Sequence, residues 1–231
     1  MKSLHKTASL LAALCAFAAA QLAAQADEMA LIAENNIILP APQKTGGMPL
    51  MEALAKRSSA RSFDKARELT PQQISNLLWA GFGINRADGR RTAPSANNRQ
   101  EQDLYVLLKT GAYLYDAKTH TLLRVAAGDQ RELSATPNQA FAKDAPLTVL
   151  MIADGTRMNA KTAEAITANN REMASANAGF IAQNIYLYCA SEGLSAVIRA
   201  TTDRANIART LSLKPTQWVV LVQSVGYAPK K

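Results

Sequence analysis

Thiols and imidazoles are scarce in this chain, whose 231 residues include only two cysteines, Cys15 and Cys189, and two histidines, His5 and His120. The first of each falls in a stretch built like a secretory signal. Lys2, His5 and Lys6 form a basic start, Ala8 to Ala20 an apolar run, and Ala24-Gln25-Ala26 a small-x-small triplet ahead of Asp27 and Glu28. The run is apolar on every side, unlike an amphipathic helix, and too short to span a bilayer. Leu14 stands before Cys15 where a lipoprotein signal wants a small residue, and a twin-arginine pair is missing. Residues 1–26 are therefore expected to be a Sec-type signal peptide, and the protein to be periplasmic or secreted.

Cleavage there would leave 205 residues, the size of one domain, and lower the net charge from +8 to +6 by removing Lys2 and Lys6. Cys189 would then be the one thiol, which excludes an intrachain disulfide, and one cysteine with one histidine cannot form a usual structural zinc set. No metal site is expected. His120, among the polar Lys118, Thr119 and Thr121, reads as a solvated turn residue, and Cys189, inside an apolar helix, as a small buried hydrophobe. The chain also lacks a Walker loop and a dinucleotide-binding glycine fingerprint. No later run is apolar enough for a membrane span, and no dense Lys/Arg stripe points to nucleic acid.

Residues 27–47, with Leu39-Pro40-Ala41-Pro42 and Gly46-Gly47, read as an arm ahead of one domain over 48–231. Met48 to Arg57 has the composition of a helix ending near Ser58-Ser59. Thr70-Pro71-x-Gln73 is a capping box opening a second helix, with Ile74, Leu77, Leu78 and Gly81 as its buried stripe. Gly83 to Gln100 is a polar loop of a length that is usually functional. Leu104–Leu108, Ala112–Tyr115 and Leu122–Val125 read as strands, and Leu147–Ala153 as a strand buried on both faces. A long helix is expected from about Thr162 to Glu192, apolar nearly all round from Ala178 to Ala190 and hence central, with Gly193 just past its end. Leu194–Ile198 is a short strand, Asp203–Leu211 a helix and Trp218–Val225 a second continuous apolar strand. Strands and helices interleave around one sheet, so the class is α+β or α/β.

Chemistry is concentrated at loop–helix junctions. Arg57-Ser58-Ser59-Ala60-Arg61-Ser62-Phe63 places two guanidinium forks around hydroxyls, which suits a phosphate, although a basic helix C-terminus complementing the helix dipole has the same composition. Pro94-Ser95-Ala96-Asn97-Asn98-Arg99-Gln100 offers amides that both donate and accept, which suits the edge of a flavin or nucleobase or a plain polar loop.

In this order and separation, the segments resemble the nitroreductase superfamily of FMN enzymes. "RSSARSF" resembles its flavin-phosphate motif, "LTPQQISNLLWAGFGINR" its second helix and "RTAPSANNRQ" the Pro-Ser-x-x-Asn-x-Gln segment at the flavin ring. "AGFIAQNIYLYCASEGLSAV" is similar to its central helix and following strand, and "WVVLVQSVGYAP" to its last strand. With "GAYLYDAKTHTLLRV" as a hairpin, the chain looks most like the branch holding the thiazoline and oxazoline dehydrogenases. Glu101-Gln102 departs from the Pro-Trp common after the glutamine. The resemblance implies an α+β fold with a mixed, mainly antiparallel sheet surrounded by helices. It implies FMN as cofactor, a homodimer, a small organic substrate and ping-pong turnover without an essential side-chain acid or base. It assigns Arg57, Ser58, Ser59 and Arg61 to phosphate and ribityl contacts, Asn98 and Ser95 to the ring, and Ala200 and Thr201 to the backbone near flavin N5. Lys230 and Lys231 either approach the phosphate or form a solvated C-terminus. Two alternatives remain: a nitroreductase-like fold that binds a ligand or flavin without redox turnover, and an azoline-type peptide dehydrogenase.

Overall fold

The computed structural model describes residues 35–230; the expected signal peptide, residues 27–34 of the arm and Lys231 lie outside the described residues. From Ile37 onward the elements are β1 (Ile37–Ile38), α1 (Leu50–Lys56), α2 (Pro71–Phe82), β2 (Gln102–Leu108), β3 (Gly111–Asp116), β4 (Thr121–Ala127), β5 (Leu147–Asp154), α3 (Ala168–Ser191), β6 (Ser195–Arg199), α4 (Arg204–Thr210) and β7 (Gln217–Gly226). The fold is α+β: a seven-stranded sheet of order β1-β4-β3-β2-β5-β7-β6, antiparallel at every pairing.

Alternation along the central strands divides the core. Leu147, Val149, Met151 and Ala153 of β5 and Leu104, Val106 and Leu108 of β2 face the side covered by α2 and α3. Leu150, Ile152, Tyr105 and Leu107 face the other side, where Ile207 and Leu211 of the α4 region pack. A strand with helices or turns on both faces has no solvent side, which is why β5 and β7 carry unbroken apolar runs.

The expected capping box on α2 is present: Thr70 Oγ1 accepts from Gln73 N and Gln73 Oε1 accepts from Thr70 N. The stripe of α2 meets α3 closely, since a Cβ on Gly81 would come to 3.0 Å from Ile185 Cγ1. α3 begins later than its composition suggests. Thr167 and Asn170 form a reciprocal cap, so the helix opens at Ala168 rather than near Thr162. Gly193, at φ 66°, takes the left-handed position just past its end.

His120 differs from its expected role. It lies in the β3–β4 turn at φ 55°, half-buried, with both ring nitrogens engaged: Nε2 is 2.7 Å from Ser75 Oγ and Nδ1 2.9 Å from Tyr115 OH. Its carbonyl also accepts from Leu39 N, so the turn fastens the arm to the sheet next to the short pairing of β1 on β4. Polar sequence neighbours hid this, because the partners come from α2 and β3. Cys189 is 1% exposed, and burial pushes its thiol pKa far up, which suits an inert core residue.

Candidate functional site

β6 is the last strand of the sheet, so half of its backbone groups face away from β7. The segment after α1 covers them. Arg57 ends α1 with its N–H on Ala53 O, and the chain then runs extended so that Ala60 N donates to Ala196 O at 2.9 Å. Ile198 N donates to the hydroxyl of Tyr186, 2.8 Å away, and that hydroxyl lies 2.8 Å from Ser59 Oγ. An edge that would otherwise expose bare backbone is thus closed by a serine-rich segment and one helix tyrosine. Phe63 anchors the far end by packing with Phe141, Ala145 and Val197.

Arg57 stacks over the Tyr186 ring at 5.3 Å, and among the described residues neither Arg57 nor Arg61 forms an ion pair with a carboxylate. Ser58 and Ser59 are exposed beside them. Two uncompensated guanidinium groups flanking two hydroxyls are the donor set that a phosphate monoester requires. Arg57 thus terminates a helix, as one sequence reading has it, and its guanidinium lies free of carboxylates, as the other needs.

Along the same strand, past Arg199, lie the exposed Ala200 and Thr201. Arg199 itself is buried with no acid beside it. Its guanidinium donates to Ser134 O, Ser134 Oγ, Gln139 Oε1 and Ser224 Oγ, while Nε has no partner, and burial lowers its pKa to about 10. The 57–61 segment thus runs along the edge of β6, and the Ala200–Thr201 turn follows that strand's end. The chain leaves β7 nearby: Tyr227 O accepts from Asp64 N at 2.9 Å, and Lys230 follows three residues later, exposed.

The loop 94–100 is elsewhere. Thr92 ties it to the C-terminal end of α2, through Thr92 N on Gly83 O and Thr92 Oγ1 on Trp79 O. Ser95 Oγ accepts from Gln100 N, so this serine shapes the loop from within, and Asn98 Oδ1 accepts from Gln100 Nε2. Asn97, Asn98 and Gln100 all have positive φ, a conformation asparagine tolerates better than most residues. Arg91 Nε on Gln100 Oε1 and Arg157 Nη1 on Gln100 O hold it from outside.

Register measures the separation. Ala196 pairs with Val225 and Val225 with Leu147, whereas Gln102, just past the loop, pairs with Ala153. Six residues of extended β5, about 20 Å, therefore lie between the two ends. α2 agrees: Gln73 near its start accepts from Tyr227 OH, and its last turn carries the loop. One chain lays Arg57, Ser58, Ser59 and Arg61 in one extended segment against β6 at Ala196 to Ile198, with Ala200 and Thr201 past the end of that strand, and it places Ser95 and Asn98 at the far end of α2.

Sequence reasoning missed Tyr186, Arg199 and Glu101. Glu101 and Gln102 are buried and reach α3: Asn177 Nδ2 donates to Glu101 Oε1, and Gln102 Nε2 donates to Ala174 O. They lock the base of the flavin-motif loop onto the central helix through hydrogen bonds. Buried polar residues opening a strand were the available signal. A separate cleft of about 390 Å³, between residues 43–47, α2 and α3, is lined by Lys44, Trp79, Asn184, Tyr188 and Glu192 and by none of the expected site residues. Among the described residues, no group of three or more His, Cys, Asp or Glu could hold a metal, and no helix is long and apolar enough to cross a membrane.

The model of the Nitroreductase family matches residues 54–227. A candidate nitroreductase of Methanocaldococcus jannaschii is 27% identical over 186 residues, which is 77% of this chain and 90% of that one. The crystal structure of a candidate nitroreductase from Ralstonia eutropha is 39% identical with a TM-score of 0.78, over 86% of this chain and 92% of that one. A chain of the E. coli microcin synthetase complex shares the fold, with a TM-score of 0.62 at 19% identity over 85% of this chain and 80% of that one.

Proposed function

The chain belongs to the nitroreductase family, and from that premise we propose that it is an exported, FMN-dependent oxidoreductase acting on a small organic substrate. The observation that carries this reading is the cradle on the β6 edge. Arg57 and Arg61 lie free of carboxylates beside Ser58 and Ser59, on a segment laid against the edge of the strand that leads to Thr201. These residues would hold the phosphate and ribityl chain, with the Ala200–Thr201 backbone at the ring. Bound FMN would supply the redox chemistry of a ping-pong cycle between a donor and an acceptor. The side chains bind, orient and exclude water, so no catalytic acid or base is assigned.

The reading includes a homodimer. Ala196, beside the cradle, and Gln102, just past the Ser95–Asn98 loop, are offset by about 20 Å along the sheet in one chain, so a partner related by a two-fold axis would bring its own loop to the flavin. The exposed apolar side chains Leu50, Met51 and Leu54 of α1 and Phe180 of α3 supply a surface for that contact. Export rests on the signal pattern of residues 1–26, and the electron donor is left open.

Purified protein tests this directly. A yellow preparation that shows flavin absorbance, bleaches with dithionite and yields FMN on heat release is expected. Colourless protein that ignores added FMN would sink the reading, and FMN that binds but never turns over would favour ligand binding without redox chemistry. Oxidation of an azoline-containing peptide with oxygen uptake and no nicotinamide requirement would favour the peptide-dehydrogenase alternative.

A further inference from the structure

The turn between β6 and α4 is fastened on both flanks and open at one residue. On the β6 side, Arg199 bonds Ser134 O and Oγ, and Thr202 Oγ1 reaches the same Ser134 carbonyl at 3.2 Å. On the α4 side, Asp203 Oδ1 caps the helix by accepting from Asn206 N. Arg204 folds back across the turn: Nη2 donates to Ala200 O at 2.9 Å and Nε to Val219 O at 3.2 Å. Thr201, alone in this turn, makes no hydrogen bond through its backbone or side chain.

We infer that Arg204 is a positioning residue for the flavin, acting through the Ala200 carbonyl to aim the Thr201 N–H at N5; this rests on the FMN reading above. The argument is the geometry of one peptide group. The Ala200–Thr201 peptide is trans, so its C=O and N–H point in opposite directions. Whatever holds the carbonyl therefore fixes the N–H. Arg204 holds it against Val219 of β7, a strand paired on both sides, so the reference point is the sheet itself. Without the guanidinium the peptide plane is free to rotate, and the carbonyl could replace the amide at the open face. Neither Ala200 nor Thr201 has a positive φ. This turn needs no glycine because an arginine sets its direction. A planar fork can bond two carbonyls at once, whereas a lysine ammonium on a flexible stem does not fix them in the same way.

The test uses the holoprotein loaded with FMN enriched in ¹⁵N at N5. Wild type is compared with Arg204→Gln, Arg204→Lys and Arg209→Gln, the last an exposed arginine on the same helix that bonds only Asn206. All four should bind FMN within about threefold of one another, because the phosphate contacts are untouched. The N5 resonance should move toward the position of unbonded flavin in both Arg204 variants and stay in place in Arg209→Gln. An unmoved resonance in Arg204→Gln, with only a lower melting temperature, would overturn the inference. So would loss of FMN from Arg204→Gln alone, which would make Arg204 a binding residue. A wild-type protein that takes up no FMN fails earlier, at the cofactor reading, and removes both.

Discussion

The hydroxyls of Tyr186 and Ser59 meet at 2.8 Å across the edge of β6, and the same tyrosine oxygen accepts the Ile198 amide hydrogen. One atom on the central helix thereby completes a strand edge and places a residue of the anion cradle. Tyr186→Phe keeps the ring under Arg57 but strands the Ile198 amide. The expected cost is about 1–3 kcal/mol of stability from an unpaired buried donor, with a several-fold weaker grip on FMN. Denaturant titration and flavin fluorescence measure the two. An unchanged midpoint would mean that water replaces the hydroxyl.

Arg57→Ala and Arg61→Ala should each weaken FMN binding by about 1.5–3 kcal/mol, roughly 10- to 150-fold in Kd. Folding should survive, since neither guanidinium pairs with an acid. Flavin occupancy of the purified variants reads this out, and full occupancy in both would show that the phosphate binds elsewhere.

Phe180→Glu and Met51→Glu place charge on the exposed apolar surface of α3 and α1. If that surface joins two copies, either variant should sediment as a monomer and lose FMN together with dimerisation. A monomeric wild type that binds FMN would overturn the two-chain site.

Stability should fall on mild acidification because of His120. Burial chiefly, then repulsion from Lys44, lowers its pKa below the ordinary 6.5, while the nearby Pro40 carbonyl opposes them. Ser75 Oγ donates to Pro40 O, so it accepts from Nε2–H, and Nδ1 is left to accept from Tyr115 OH. The folded imidazole thus takes up a proton less readily than the unfolded one. Its contribution is present above pH 6.5 and is lost as pH falls from there through the folded pKa. Asp116 and Asp129, with lowered pKa values, lose their contributions only further down, below the ordinary carboxylate value of 3.8. His120→Gln should flatten the melting temperature between pH 7 and about 5. A slope unchanged in that variant would exonerate the histidine.

Where local chemistry decides the structure, the sequence was legible. Thr70 with Gln73, Gly193 after the long helix, and the apolar runs of β5 and β7 each state their role within a few residues. The contiguous arginines and serines of residues 57–61 were legible as one extended segment, and the structure lays that segment along the edge of β6. What could not be read depends on partners distant in sequence. The neighbours of His120 suggest solvent, yet Ser75 and Tyr115 enclose it. The start of α3 moved to Ala168 because Thr167 and Asn170 cap each other, a pairing of the same kind as Thr70 and Gln73 but with asparagine in the reciprocal position. Tyr186 looks like one more apolar helix residue until the edge of β6 is placed against it. The offset of about 20 Å along β5 between the level of Ala196 and that of Gln102 follows from strand order, which no local pattern encodes.

That distance has a genetic consequence. If each flavin takes its phosphate grip from one chain and its ring contact from the other, two defective chains can repair one another. A chain lacking Arg57 still offers Asn98, and a chain lacking Asn98 still offers Arg57. Equal mixing of the two would restore roughly a quarter of the sites, all of them in mixed dimers, while each parent alone stays empty. In that case complementation between alleles, rather than dominance of the damaged one, is the inheritance pattern to expect.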